Sequence, residues 1–90
     1  MIEKIYLENL GTVNKNKVSF ELTNGSWIEL YFSYKTLVGI KQNGRIVCLE
    51  NYWSTTTGKL LNEIEPDKTK RLAQEDFDKV FNEIIRAINK

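Results

Sequence analysis

Residues 54–59 read Ser-Thr-Thr-Thr-Gly-Lys, four consecutive hydroxyls ahead of a glycine and a lysine. These are the residue types with which a turn can wrap a phosphate: flexible backbone amides, hydroxyl donors and an ammonium group. A Walker-type loop needs G-x-x-x-x-G-K-[ST], however. Its first glycine position is Trp53 here, and its last hydroxyl position is Leu60. The spacing points to something looser. An anion could sit on the amides of a helix start beside Lys59, or Ser54 or Thr55 could cap that helix for about 1 kcal/mol. Capping uses one hydroxyl or two, and leaves Thr56 and Thr57 to be explained.

Covalent chemistry has little to draw on. The chain contains no histidine, which removes the commonest general base and the commonest metal ligand together. Lys59 or Lys35 would need deep desolvation to activate a neighbouring hydroxyl. The carboxylate pairs Glu63/Glu65 and Glu75/Asp76 lie in charged segments and read as solvated faces. Cys48 is the only cysteine, so no disulfide can form within the chain and no four-ligand zinc site can be assembled. Its setting, Arg-Ile-Val-Cys-Leu-Glu, is that of a buried thiol. The expectation is a protein that is not an enzyme and carries no metal or cofactor.

Bulk properties narrow the classes further. Ninety residues make one domain, and 41% hydrophobic with 28% charged residues is an ordinary globular composition. No run approaches the roughly 18 apolar residues of a membrane span, and the opening Met-Ile-Glu-Lys-Ile-Tyr-Leu-Glu-Asn lacks the apolar core of a signal peptide. A cytoplasmic location, in the cytosol of a host cell, is therefore expected. Net charge is +1, without the basic excess that duplex DNA binding usually requires. Lys68, Lys70 and Arg71, beside Glu63, Glu65 and Asp67, read as a solvated linker.

The elements that must position these residues come in two halves. Residues 1–53 read as sheet. Val18, Phe20 and Leu22 alternate with Ser19, Glu21 and Thr23, and Ile28, Leu30, Phe32 and Tyr34 alternate with Trp27, Glu29, Tyr31 and Ser33. Asn24-Gly25 and Asn43-Gly44 mark two hairpin turns. A three-residue loop, Asn24-Gly25-Ser26, pairs Leu22 with Ile28, Phe20 with Leu30 and Val18 with Phe32, all on one face. A two-residue loop would set Leu22 against Trp27. At the second turn, two residues suffice to pair Ile40 with Val47 and Val38 with Leu49. The extended run from Trp27 to Gln42 exceeds ordinary strand length, which predicts a bend or bulge near residues 33–36. Residues 2–8 predict a further strand, followed by a loop from Asn9 to Asn16.

Residues 54–90 read as helix. Leu60, Leu61 and Ile64 predict a short helix over 54–65, stopped by Pro66. Phe77, Val80, Phe81, Ile84, Ile85 and Ile88 make one apolar stripe over 74–89, with Glu75, Asp76 and Asp78 at its start and Arg86 near its end, as the macrodipole favours. The predicted architecture is α+β: an antiparallel β-meander of four to five strands, a short helix, and a long C-terminal helix packed on one face of the sheet.

That parity sorts the aromatics. Tyr34 and Trp53 fall on the side of Val38 and Leu49, where burial is expected. Trp27 and Tyr31 fall on the other side, near Ile46, Cys48 and Tyr52. If one helix covers the sheet, this second face presents an aromatic–apolar patch to water, a common mark of an interface. The competing arrangement has the short helix, or a homodimer partner, covering it.

Two segments also carry a resemblance. Ser33, Tyr34, Thr36 and Val38, followed by Trp53, Ser54, Thr56, Thr57, Lys59 and Asn62, are similar to a pattern in small uncharacterised proteins of phages and other mobile elements. Their pattern runs S-Y-x-T-x-V, then Y/W-S-x-T-T-x-K-H-x-N, then a helix with an acidic start. The histidine position is Leu60 in this chain, which removes any role resting on that imidazole. The resemblance spans roughly residues 30–85 and implies a phage or mobile-element origin without an activity. The functional expectation is a non-enzymatic protein that binds a host or phage protein, such as a CRISPR-type defence nuclease, stoichiometrically. The contact residues would be Trp27, Tyr31, Tyr52, Ser54, Thr55, Thr56, Thr57 and Lys59. The alternatives are a single-stranded nucleic-acid binder, stacking bases on Trp27, Tyr31 and Tyr52 with Lys35, Lys41 and Arg45 along the backbone, or a small-ligand or anion binder at Ser54–Lys59. No membrane partner is expected.

Overall fold

The computed structural model describes residues 2–11, 15–50 and 55–88. Five strands come first: β1 (Ile2–Asn9), β2 (Lys15–Leu22), β3 (Trp27–Ser33), β4 (Thr36–Gln42) and β5 (Arg45–Cys48). Two helices follow, α1 (Thr55–Ile64) and α2 (Gln74–Ile88), with a 3-10 turn at Lys68–Lys70 between them. The strands form one antiparallel sheet in sequence order. This is the predicted α+β meander, with five strands.

Turn chemistry sets the register. Asn43 and Gly44 both take positive φ, 48° and 85°, as the two-residue hairpin demands, and Ile40 pairs with Val47 as expected. The first hairpin differs. Its loop is Thr23-Asn24-Gly25, closed by the Gly25 N–H on the Leu22 carbonyl and the Leu22 N–H on the Ser26 carbonyl, both 2.9 Å. Phe20 therefore pairs with Ile28 and Val18 with Leu30, a slip of two residues from the register predicted with Asn24-Gly25-Ser26. A slip of two preserves parity, so the side chains of β2 and β3 keep their expected faces. The run from Trp27 to Gln42 does more than bend. It reverses through Tyr34-Lys35, with Tyr34 at φ 56°, and the register shifts by one between Tyr31 and Phe32, leaving Val38 of β4 as the extra residue. Tyr34, expected in the core, stands exposed at this turn.

The sheet is clasped from both sides. Ile28, Leu30, Ile40 and Val47 point to one face and are buried in a single cluster with Phe77, Ile84 and Ile88 of α2. Val80, Phe81 and Ile85 flank that contact, half-buried, so the whole predicted stripe is used. On the other face α1 lies over β4 and β5, with Leu60, Leu61 and Ile64 buried. Past α1, the Leu72 N–H donates to the Cys48 carbonyl and the Leu72 carbonyl accepts from the Glu50 N–H, each at 2.8 Å. That short parallel bridge, Leu49 to Leu72, lines the chain against the end of β5.

Candidate functional site

The hydroxyl motif runs into a helix that is docked on the sheet. Thr57 is buried, and its Oγ1 lies 2.8 Å from the Ser33 Oγ at the end of β3. Two turns on, Ile64 seats over Gly39 of β4, where a side chain would collide with it. Cys48 faces the same helix, its Sγ 4.0 Å from the Leu61 carbonyl. Burial pushes the Cys48 thiol up to about 11, with Glu65 adding to the rise and Arg71 opposing it, so it is an inert thiol at neutral pH. Thr57 thus has a structural partner. Lys59 points into solvent on the same helix. Tyr52 and Ser54 lie outside the described residues, as do Trp53 and the side chains of Thr55 and Thr56.

Beyond the edge of α1 the same face carries no further element among the described residues. Register rows run Glu8–Lys17–Tyr31–Gly39–Cys48 and Tyr6–Ser19–Glu29–Lys41–Ile46 across the five strands. Lys17 reaches Glu29 at 3.1 Å and Glu8 at 3.6 Å, and the hydrogen bond to Glu29 raises its pKa. The Tyr31 hydroxyl donates to the same Glu29 carboxylate at 3.2 Å, and the Lys41 ammonium sits 5.4 Å above the Tyr31 ring. Burial, with Glu29 adding to it, pushes the Tyr31 phenol up to about 12. Tyr31 is on the predicted face, but it is half-buried under charged neighbours rather than looking outward.

Trp27 does look outward. It is 43% exposed and its ring centroid lies 5.6 Å from that of Tyr6, itself 44% exposed, with the planes tilted by 30°. Ile46, exposed on β5, shares the face. Tyr6 was missed in the sequence, although the alternation in Ile2–Asn9 could have placed it opposite Ser19 and one row from Trp27.

Depressions lie elsewhere on the described surface. One, of about 250 Å³, is lined by Glu50, Gly58, Asn62, Lys68 and Arg71. Arg71, read as part of a solvated linker, is in fact buried: its Nε donates to the Glu65 carbonyl at 3.1 Å and its Nη2 to the Asn62 Oδ1 at 2.6 Å. It ties the end of α1 to the returning chain. Lys68 to Lys70 form the exposed 3-10 turn, capped by Asp67, whose carboxyl is held below its ordinary range by hydrogen bonds from Thr69. The second depression, about 380 Å³, is an apolar groove on the opposite face between Leu7, Val18, Phe32 and Tyr34. Among the described residues no group of three or more Asp, Glu or Cys side chains is placed to hold a metal ion, and no helix is long and apolar enough to cross a membrane.

A meander clasped by two helices, with an aromatic strip left open beside the shorter one, defines a small α+β protein whose prominent features are surfaces. The chain matches, over residues 2–79, the model described as Family of unknown function (DUF8033), and it belongs to that family. The match takes in the whole sheet, α1 and the first turns of α2. No curated protein and no solved structure matches it.

Proposed function

We propose that the protein is a non-catalytic binding module that acts stoichiometrically on another protein through Trp27, Tyr6 and Ile46, beside α1. The observation that supports this reading is the Tyr6–Trp27 pair. Two large rings held against each other on a rigid sheet lose little conformational freedom when a partner covers them, and Trp and Tyr are the residues that most often dominate such contacts. Tyr31, Glu29, Lys17 and Lys41 form a charged rim beside the rings on the same face, with α1 packed beyond it over Gly39. A phage or mobile-element origin, with a host protein such as a CRISPR-type defence nuclease as partner, rests on the resemblance of residues 33–40 and 53–62 alone.

The single-stranded nucleic-acid alternative draws on the same rings, but three lysines on this face of the sheet are engaged. Lys17 is shared between two carboxylates, Lys15 pairs with Glu63 at 3.1 Å, and Lys41 lies on the Tyr31 ring. A nucleic-acid strand would have to displace these contacts to find its counter-charge. The test uses tagged chain in host lysate. A partner recovered in fixed molar ratio, and lost about tenfold or more with Trp27→Ala and Tyr6→Ala together, is the expected result. Recovery unaffected by both substitutions removes the strip from the account. Quenching of tryptophan fluorescence by an oligonucleotide at low salt favours the alternative.

A further inference from the structure

β1 is the most exposed strand of the sheet. All eight of its residues are exposed, and Ile5 and Leu7 stand at 63% and 76%. It is also an edge strand, with β2 on one side and, among the described residues, nothing on the other. The opposite edge is treated differently, since the chain around Leu72 closes on the end of β5. A long edge with apolar side chains is a template for another strand.

The ladder shows which groups that template offers. The Leu22 N–H donates to Ser26 across the first hairpin, so the alternation of an antiparallel sheet directs Glu21, Ser19 and Lys17 toward β1. Their partners Lys4, Tyr6 and Glu8 spend their main-chain groups on β2. The N–H and C=O of Ile5 and Leu7 therefore point away from the sheet.

We propose that a second copy of this chain pairs antiparallel with β1 about a two-fold axis at Tyr6, joining two five-stranded sheets into one. The strand's own sequence selects that register. Centred on Tyr6, Lys4 meets Glu8 of the other copy, Ile5 meets Leu7, and Tyr6 meets Tyr6, each pair repeated by the symmetry. Opposite charges then face each other across the junction, and apolar side chains face apolar ones. Centring on Ile5 sets Lys4 against Tyr6 and Glu3 against Leu7. Centring on Leu7 sets Tyr6 against Glu8 and Ile5 against Asn9. Only the Tyr6 register matches charge with charge and apolar with apolar. Registers that pair odd with even positions would turn one copy's faces over. The pairing buries Ile5 and Leu7 of both copies beside the apolar groove of Leu7, Val18 and Phe32. On the other face it brings the two Tyr6–Trp27 pairs together. The inference stands apart from the partner proposed above, because it is read with no other protein present.

The experiment is light scattering on the purified full chain and two variants. The wild type is expected at twice 10.5 kDa. Ile5→Lys with Leu7→Lys opposes lysine to lysine in every central pair and is expected to give a monomer. Ile5→Glu with Leu7→Lys opposes glutamate to lysine in the same pairs and is expected to remain a dimer. Both pairs of substitutions fall on exposed positions, and unchanged circular dichroism checks that the monomer fold survives. A wild-type monomer, a dimer that persists with the two lysines, or a monomer with the complementary pair would each overturn the proposal.

Discussion

Gly39→Val is expected to unseat α1. Gly39 lies in the middle of β4, between Tyr31 and Cys48 of the neighbouring strands. A Cβ at this position would lie 2.8 Å from the Ile64 Cδ1 and 3.1 Å from its Cγ2. Valine favours strands, so a local view predicts a gain. The packing reverses the sign. Ile64 is buried in one cluster with Leu60, Leu61 and Cys48, and its Cδ1 and Cγ2 would have to move to admit even the first added carbon. Overpacking of this kind costs typically about 1–3 kcal/mol, and the β-branched valine belongs at the upper end. Urea denaturation should show a lowered midpoint with an unchanged slope. Ile64→Ala in the same chain should recover part of the loss, because the two substitutions act on one contact. A Gly39→Val protein as stable as the wild type would mean that α1 does not pack where the structure places it.

Phe77→Ala is the second large effect, on the opposite face. Among the described residues Phe77 is the bulkiest fully buried side chain, and it is the first anchor of α2. Removing it leaves a cavity under the sheet at a cost of about 3–5 kcal/mol. Domains in general hold about 5–15 kcal/mol in all, and a short chain sits low in that range. The variant should therefore be largely unfolded in mild denaturant. Phe81, one turn further on the same helix, is only half-buried, so Phe81→Ala should cost distinctly less. Equal midpoints for the two variants would contradict the orientation of α2.

Most of the frame was legible because it is written in local signals. Asn43-Gly44 carries its own turn geometry, and the register of β4 on β5 followed from it. The apolar stripe from Phe77 to Ile88 could face only a core. The first hairpin was misjudged by two residues because Thr23 and Ser26 are equally acceptable at the edge of a loop containing Asn24-Gly25, and only the backbone bonds choose between them. Parity survived that choice, so the placement of Trp27 survived with it. The turn at Tyr34-Lys35 has no glycine or asparagine to announce it. A tyrosine in the left-handed region costs roughly 1 kcal/mol or more, and the surrounding pairing holds it there.

What could not be read was contact at a distance. Arg71 looks like one of three linker cations until α1 is in place and its end offers the Glu65 carbonyl and Asn62 as acceptors. Tyr31 looks like a second outward ring until Glu29, Lys17 and Lys41 converge on it from three strands. Thr57 answers part of the question raised by the hydroxyl run, since one threonine is spent on Ser33 across the helix–sheet junction. The open surface lies further from α1 than the sequence suggested, at Tyr6 and Trp27, because α1 covers the Ser33–Gly39–Cys48 end.

The accessibility of Trp27 tests the account most directly. In a Trp53→Phe protein the remaining indole reports on Trp27 alone, and its emission and quenching by acrylamide can be measured in buffer. The account predicts a red-shifted emission and ready quenching, increased further by Tyr6→Ala, which strips away the neighbouring ring. A blue-shifted emission that acrylamide cannot reach would place Trp27 in the interior and contradict the open face.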